Sequence, residues 1–259
     1  MSAAPEGPEP RPAAPEALGW RALLGLGNPG ERYAATRHNA GWMALEALRK
    51  HWELEEWRTG GGDVAWARGQ AGAVSGGPDL WLVRPLAYMN RSGQAFARWL
   101  EDPTGGAPPA AHAWLRESLA GEVAARAPEA ESPPGDGQAP CSVGGARDCP
   151  WLLAVVDDMD LPLGRVRLRA GGTDGGHNGL ADVGRALGTE RFPRLRVGVG
   201  RPPPGLDPVD WVLRPTEGEE LRSLRHAAEW AAQAAACWAL EGLAKAQQGF
   251  NGAMAPMRT

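Results

Sequence analysis

The sequence predicts a single α/β domain with a twisted, mostly parallel mixed sheet and helices on both of its faces. Apolar runs of strand length alternate along the chain with segments whose apolar residues recur at helical spacing. The run 151–156 is apolar throughout, which is typical of a central strand buried on both faces. Hydrophobic residues make up 43% of the 259-residue chain, enough for a sizeable core.

The first half of the chain supplies three predicted strands and two predicted helices. Short apolar or alternating runs identify the strands, which cover 22–24, 64–67 and 80–83. Residues 37–50 and 90–100 place apolar side chains on one helical face. Thr36 lies directly before the first of these helices, where a threonine side chain is a favoured N-cap.

The second half continues the alternation after the central strand. Apolar residues alternate with polar or small ones over 166–168 and 195–199, and both stretches are predicted strands. Between them, a glycine-rich loop at 171–176 leads into a predicted helix over 177–187. Residues 217–248 form a long predicted helical region.

The segment 101–150 interrupts this pattern, and we expect it to be an acidic insertion within a domain formed by residues 20–250. It contains eight prolines and two Gly-Gly pairs, which predicts a largely mobile stretch. One surface helix is expected within it, around Trp114, Leu115, Leu119 and Val123. Residues 1–19, rich in proline, alanine and glutamate, and residues 251–259 are expected to be terminal tails.

Net charge alone argues against a nucleic-acid ligand, but the distribution of charge does not. The chain carries −4 in total, of which residues 101–150 contribute −5 and the remainder +1. Residues 164–201 hold eight arginines and only three acidic residues. A phosphate-bearing partner is therefore permitted, although a solvated arginine-rich face explains the same pattern.

Other features indicate a reduced, cytoplasmic protein without a membrane span. The spacing of Cys141, Cys149 and Cys237 fits no zinc site, and their odd number argues against a disulfide framework, although Cys141 and Cys149 could pair on oxidation. No apolar run approaches the roughly 20 residues of a membrane-spanning helix. The N-terminus lacks the basic and apolar regions of a secretory signal.

The most informative motif covers residues 25–41, with the sequence GLGNPGERYAATRHNAG. Gly25, Gly27 and Gly30 satisfy the spacing of a dinucleotide-binding loop after a strand. In that loop the third glycine lies within a helix, whereas Pro29 followed by glycine predicts a turn. No acidic residue ends a second strand at the required distance either, so a nucleotide cofactor is not expected.

Five polar residues are expected to meet in one cleft, because ligands of open α/β sheets bind beyond the carboxyl ends of the strands. These residues are Asn28, His38, Asn90, Asp157 and Asn178. His38 near a helix N-terminus is expected to stay neutral and to act as a general base, with Asp157 fixing its tautomer. Asparagine side chains can donate to a developing oxyanion. Since no serine or cysteine nucleophile motif is present, we predict ester or amide hydrolysis by a His-activated water.

Each of these residues also has a purely structural explanation. An asparagine beside a glycine is common in turns, and an aspartate at a strand end often caps a loop. His177 is placed to cap the helix that follows it. The chemical interpretation therefore depends on the whole set rather than on any one residue.

Together, the order and spacing of these blocks closely resemble those of the bacterial-type peptidyl-tRNA hydrolase family. The resemblance covers residues 21–100 and 151–250, and five segments carry it: LLGLGNPGERYAATRHNAG (23–41), RPLAYMNRSGQAFARWL (84–100), VVDDMDLPLGRVRLR (155–169), GGHNGL (175–180) and RLRVGVGRP (194–202). It implies a monomeric α/β enzyme that cleaves the ester between a peptide and the 3′ ribose of tRNA, recycling stalled peptidyl-tRNA. No metal or cofactor is implied.

The resemblance also implies roles for individual residues. His38 corresponds to the catalytic base, Asp157 to the carboxylate that supports it, and Asn28 to a residue that helps to reject substrates with a free α-amino group. Contacts with the tRNA or the peptide end are implied for Tyr33, Tyr88, Met89, Asn90 and Asn178. Contacts with the tRNA 5′ phosphate are implied for Arg169 and Arg196.

The chain departs from the family pattern at one place within these segments and at one beside them. Where the family often has His-Asp-Glu-Leu-Asp, residues 156–160 are Val-Asp-Asp-Met-Asp, which keeps the aspartate at the catalytic position. Asp174 adds an acid to the glycine-rich loop. An RNA-binding splicing cofactor of the same fold is the alternative function, and a small-molecule esterase is a third. Retention of all five polar residues favours the hydrolase, and the arginine excess disfavours the esterase.

Overall fold

The computed structural model describes residues 19–73, 77–115 and 148–256, and it confirms the predicted α/β fold. Seven strands form one mixed sheet: β1 (Trp20–Gly25), β2 (Arg58–Gly60), β3 (Val64–Gln70), β4 (Asp79–Pro85), β5 (Leu152–Asp158), β6 (Val166–Arg169) and β7 (Arg194–Gly198). Their order across the sheet is β2-β3-β4-β1-β5-β7-β6. The four central strands are parallel, and the outer pairings β2–β3, β3–β4 and β6–β7 are antiparallel.

Helices cover both faces of the sheet. They are α1 (Ala40–His51), α2 (Ser92–Glu101), α3 (Asn178–Leu187), α4 (Pro208–Leu213), α5 (Gly218–Glu241) and α6 (Leu243–Phe250). Helices α1, α5 and α6 pack on one face, together with Leu23 and Val155, and α2 and α3 pack on the other, together with Leu24 and Val156. This alternation follows from the two-residue period of a strand, which sends neighbouring side chains to opposite faces. None of the described helices has the length and apolar content needed to cross a membrane.

Two predicted features of the helices need correction, and two short elements were not predicted. Thr36 does not cap α1, because a 3₁₀ turn over Arg37–Asn39 separates them and the Thr36 hydroxyl donates to the carbonyl oxygen of Tyr33 (2.8 Å). The long helical region is divided into α5 and α6 at Gly242, whose φ of 85° ends the first helix. Strand β2 and helix α4 were not predicted; both are short and lack a diagnostic apolar pattern.

The described start of the segment 101–150 packs against the core. Residues 109–115 are helical, and Leu115 is only 2% exposed, so the described part of this helix packs against the core. The indole N–H groups of Trp81 and Trp99 donate to the carbonyl oxygens of Gly106 and Gly105 (2.9 and 2.8 Å). Buried indoles need such acceptors, which explains why this backbone stays against the sheet.

Several other predictions fall on residues outside the described ranges. These residues are 1–18, Leu119 and Val123 of the predicted surface helix, and Cys141. The C-terminal stretch is described as far as residue 256, and its first residue contacts the sheet. Asn251 accepts from the Leu168 N–H (2.6 Å) and donates to the Leu168 carbonyl oxygen (3.1 Å), so it pairs with the free edge of β6.

Candidate active site

A cleft of about 460 Å³ lies beyond the carboxyl ends of the central parallel strands. It brings together all five polar residues that the sequence predicted to meet, which are Asn28, His38, Asn90, Asp157 and Asn178. The predicted contact residues Tyr33, Tyr88 and Met89 line the same cleft. The parallel strands β1, β4 and β5 deliver three of the segments that form it. This position is the one expected for a ligand site in an open α/β sheet.

Close packing at the start of α1 positions the histidine. A Cβ atom on Gly41 would lie 2.3 Å from the Val155 carbonyl oxygen and 2.7 Å from that of Leu26, which is far inside van der Waals contact. Glycine therefore lets α1 begin directly against β1 and β5. The residues just before it, including His38, are held next to the end of β5, where Asp157 lies.

Asp157 is shared by two histidines. Its Oδ1 accepts from His38 Nδ1 (2.9 Å) and from His177 Nε2 (3.1 Å), and the two imidazole rings lie 5.1 Å apart. His177 Nδ1 accepts from the Leu180 N–H (3.3 Å) and so caps α3, which leaves its Nε2 as the protonated nitrogen. Donation from His38 Nδ1 likewise leaves His38 Nε2 with a lone pair available for a water molecule.

The protonation states follow from this geometry. Burial disfavours the charged form of His38, but attraction to Asp157 and the hydrogen bond between them outweigh it and raise the pKa of His38. Burial alone would also raise the pKa of Asp157, yet the two histidines lower it, so the carboxylate stays ionised. The Asp157 carboxylate therefore outweighs the helix N-terminus, which the sequence suggested would keep His38 neutral. The neutral form of His38, which can accept a proton, predominates only above its raised pKa.

Three of these side chains lie close enough to suggest a metal site, but their hydrogen bonds argue against one. Ligand atoms of His38, Asp157 and His177 lie within 4.8 Å of one another. A metal on His177 Nε2 would need a lone pair there and would place a proton on Nδ1, opposite the Leu180 N–H that Nδ1 now accepts. The arrangement suits a proton-transfer pair better than a metal centre.

A second asparagine holds Asn28 in place. Asn39 Oδ1 accepts from the Asn28 N–H (2.8 Å), and Asn39 Nδ2 donates to the Asn28 carbonyl oxygen (3.0 Å). The side chain of Asn28 is fixed in turn, because its Oδ1 accepts from the Met89 N–H (2.8 Å). This acceptor role makes the other end the amide NH₂ group, which has no hydrogen-bond partner among the described residues and is available as a donor.

The remaining cleft residues form a polar side and an apolar side. Asn90, Asn178 and Tyr88 line the cleft and are exposed, with Tyr88 56% exposed. Helix α4 supplies an aliphatic wall, which consists of Pro208, Val209, Val212 and Leu213. This wall was not predicted from the sequence, and neither were the contacts of His177 and Asn39 within the site. The only local signal for His177 was its place in the Gly-Gly-His-Asn-Gly motif.

The two arginines assigned to phosphate contact occupy different surroundings. Arg196 lines the cleft, but its guanidinium pairs with Asp158 (3.3 Å) and donates to the Thr173 carbonyl oxygen (3.0 Å). Arg169 is exposed at the end of β6, paired in register with Arg194 and outside the cleft. Of the two, Arg169 has the more accessible guanidinium for an extended ligand.

Comparisons with known proteins identify the relatives of this chain. The model of the family described as peptidyl-tRNA hydrolase matches residues 22–103 and 148–257. The peptidyl-tRNA hydrolase of Symbiobacterium thermophilum is 38% identical over 230 residues, which cover 88% of this chain and 97% of that protein. That of Deinococcus deserti is 36% identical over 230 residues, 88% of this chain and 84% of its own length. The crystal structure of peptidyl-tRNA hydrolase from Acinetobacter baumannii superposes with a TM-score of 0.62 at 25% identity, covering 92% of this chain and 97% of the other.

Proposed function

Since this chain belongs to the peptidyl-tRNA hydrolase family and hydrolyses peptidyl-tRNA, we propose that His38 acts as the general base that activates the attacking water. The observation that carries this proposal is the buried hydrogen bond between His38 Nδ1 and Asp157 Oδ1 (2.9 Å). It fixes the tautomer in which Nε2 is the acceptor, and it stabilises the imidazolium that forms when Nε2 takes a proton.

The reaction then proceeds through an addition and an elimination. His38 Nε2 removes a proton from water while the water oxygen attacks the ester carbonyl carbon, and a tetrahedral oxyanion forms. The oxyanion collapses and breaks the bond to the 3′ oxygen of the ribose. The His38 imidazolium returns its proton to that oxygen, which releases tRNA with a free 3′ hydroxyl and a peptide with a free carboxyl group.

Asn28 is proposed to bind the acyl side of the substrate through its amide NH₂ group. That group can donate to a carbonyl oxygen, whether of the ester in its oxyanion form or of the acylated amine. A free α-ammonium group has only donors to offer it and gains nothing at this position. The same residue thus favours N-blocked substrates over simple aminoacyl-tRNA. Met89 contributes by holding Asn28 in this orientation through its backbone N–H.

The other predicted residues are proposed to bind the tRNA end and the peptide. Asn90 and Asn178 supply exposed amides to the cleft that holds His38, and the exposed ring of Tyr88 offers a surface on which a base can stack. Tyr33 also lines the cleft. Arg169 and Arg196 are proposed to contact the 5′ phosphate. We propose that the enzyme acts as a monomer in the cytoplasm without a cofactor.

The proposal is tested by substituting His38 with alanine. General base catalysis is worth about 10²–10⁴ in rate, so His38→Ala should lower the release of tRNA from N-acetyl-aminoacyl-tRNA by that factor, followed on acid gels. Free aminoacyl-tRNA serves as the control substrate and should be cleaved poorly by both proteins. Near-normal turnover by a correctly folded His38→Ala protein would eliminate His38 as the base.

A further inference from the structure

One buried arginine joins the catalytic turn to the apolar wall of the cleft. Arg37 precedes His38 in the 3₁₀ turn and is only 3% exposed. Its guanidinium lies 3.4 Å from the ring centroid of Trp211 in α4, and its Nη1 donates to the Trp211 carbonyl oxygen (3.3 Å). Its Nη2 also pairs with the carboxylate of Glu220 in the first turn of α5.

Helix α4 depends on such contacts for its position. It has six residues, too few to be stable in isolation. A second guanidinium also contacts the Trp211 ring, since that of Arg214 lies 5.1 Å from the ring centroid and pairs with Glu220 (3.5 Å). The Trp211 indole N–H donates to the Gly200 carbonyl oxygen (2.8 Å). A lysine could keep the charge of Arg37 but neither the planar stack nor the directed donors.

The wall itself has the character of a side-chain pocket. Its residues are aliphatic, and Val209 is 58% exposed and has no polar group to offer RNA. Nucleotide bases stack on aromatic or guanidinium planes, which lie elsewhere in the cleft, at Tyr88. An apolar side chain of the esterified amino acid is the chemistry that would bury this surface.

We propose that Arg37 is a positioning residue that holds the α4 wall at a fixed distance from His38, and that the wall receives the side chain of the amino acid joined to tRNA. This inference rests on the proposed function. It predicts that loosening Arg37 weakens binding of substrates with an apolar side chain without slowing the chemical step. The chemical step should be spared because a second link keeps the segment after α4 attached to the chain before His38. Thr216 donates to the Ala35 carbonyl oxygen through both its N–H and its hydroxyl (2.9 and 2.7 Å).

The test compares two substrates built on one tRNA sequence, carrying either N-acetyl-glycine or N-acetyl-leucine. Arg37→Lys should raise the KM for the leucyl substrate by about tenfold, the scale set by a misplaced apolar contact, while kcat and the KM for the glycyl substrate stay unchanged. Val209→Ala, which trims the wall directly, should give the same split, and the double variant should show no further loss. Equal KM changes for both substrates, a fall in kcat, or no change at all would each overturn the proposal.

Arg84→Lys is the matched control. Arg84 also stacks on a tryptophan (Trp57, 3.8 Å) and pairs with a glutamate, but it lies outside the cleft, so its loss should not separate the two substrates. If Arg37→Lys does not fold, Glu220→Gln, which keeps the stack and removes the ion pair, should give a smaller split of the same kind, and its absence would refute the proposal. Amide hydrogen exchange over 208–216 should speed up in Arg37→Lys, and unchanged exchange would contradict the positioning role of Arg37. This readout does not depend on activity, so it holds even if the wild-type chain cleaved neither substrate.

Discussion

Replacing Asp157 with asparagine tests the electrostatic half of the proposed mechanism. Asparagine keeps the size of the side chain and one acceptor oxygen, but it removes the charge that two histidines share. A neighbouring opposite charge shifts a pKa by about 1–3 units, and each unit corresponds to about 1.4 kcal/mol. The imidazolium of the transition state should therefore lose about 1.4–4 kcal/mol of stabilisation, which lowers kcat/KM by about 10- to 1,000-fold.

The pH profile provides a second, independent readout. Because His38 must be deprotonated to act as a base and its pKa is raised by Asp157, wild-type activity should rise with pH through a pKa above the ordinary value of 6.5. In Asp157→Asn the pKa of His38 falls, so the rise should move to lower pH while the plateau drops. The assay is deacylation of N-acetyl-aminoacyl-tRNA between pH 5 and pH 9, measured at intervals of about half a pH unit. It is run with saturating and with subsaturating substrate.

Asp79→Asn is the control for this experiment. Asp79 is an exposed aspartate at the opposite end of the sheet, where it is paired in register with Trp20 at the start of β1. It should leave both the plateau and the midpoint unchanged. A normal plateau in Asp157→Asn, or a fall in rate with an unmoved midpoint, would refute the claim that the carboxylate stabilises the protonated histidine.

Three other substitutions test the surroundings of the site. Asn39→Leu should destabilise the fold by about 1–3 kcal/mol for each of the two backbone groups it leaves unpaired, as measured by urea unfolding. It should also reduce the preference for N-blocked substrates, and unaltered selectivity would show that Asn39 does not position Asn28 for substrate binding. Arg169→Ala should lower the slope of log affinity against log salt by about 0.9, whereas Arg58→Ala, an exposed arginine on β2, should not. Replacing 116–147 by a short Gly-Ser linker should preserve activity, while replacing 104–147 should lower Tm, because it removes acceptors of two buried indoles. Equal Tm values for the two linker variants would contradict the inference that residues 104–115 stabilise the core.

The central part of the fold could be predicted from sequence because its signals are local. Leu23 and Val155 lie in apolar runs whose burial needs no knowledge of distant partners. Helix α4 gave no comparable signal, since six residues cannot show a helical period and its position depends on Trp211 packing against a distant arginine. Thr36 was misassigned because helical spacing continues unbroken from the 3₁₀ turn into α1.

The site could be predicted only in part, for a related reason. Asn28, Asn90 and Asp157 were expected to meet because each follows a predicted strand end at one edge of the sheet. His38 was singled out because it follows the first turn and lies near a helix N-terminus. His177 was assigned a capping role, which it has, but the same ring also contacts Asp157 through its other nitrogen. Asn39 acts on the backbone of Asn28, eleven residues away, and such a role leaves no pattern in the sequence.

The 3₁₀ turn over Arg37–Asn39 explains why three adjacent residues serve three different parts of the site. A 3₁₀ helix has three residues per turn, so consecutive side chains point about 120° apart. Arg37 thus reaches the α4 wall, His38 reaches Asp157, and Asn39 reaches the loop that carries Asn28. An α-helix beginning at the same place would separate the side chains by about 100° and would misdirect at least one of them. The turn therefore fixes the distances among the proposed base, the proposed acyl-binding amide and the apolar wall together, which is why a change at either neighbour of His38 should alter substrate selection.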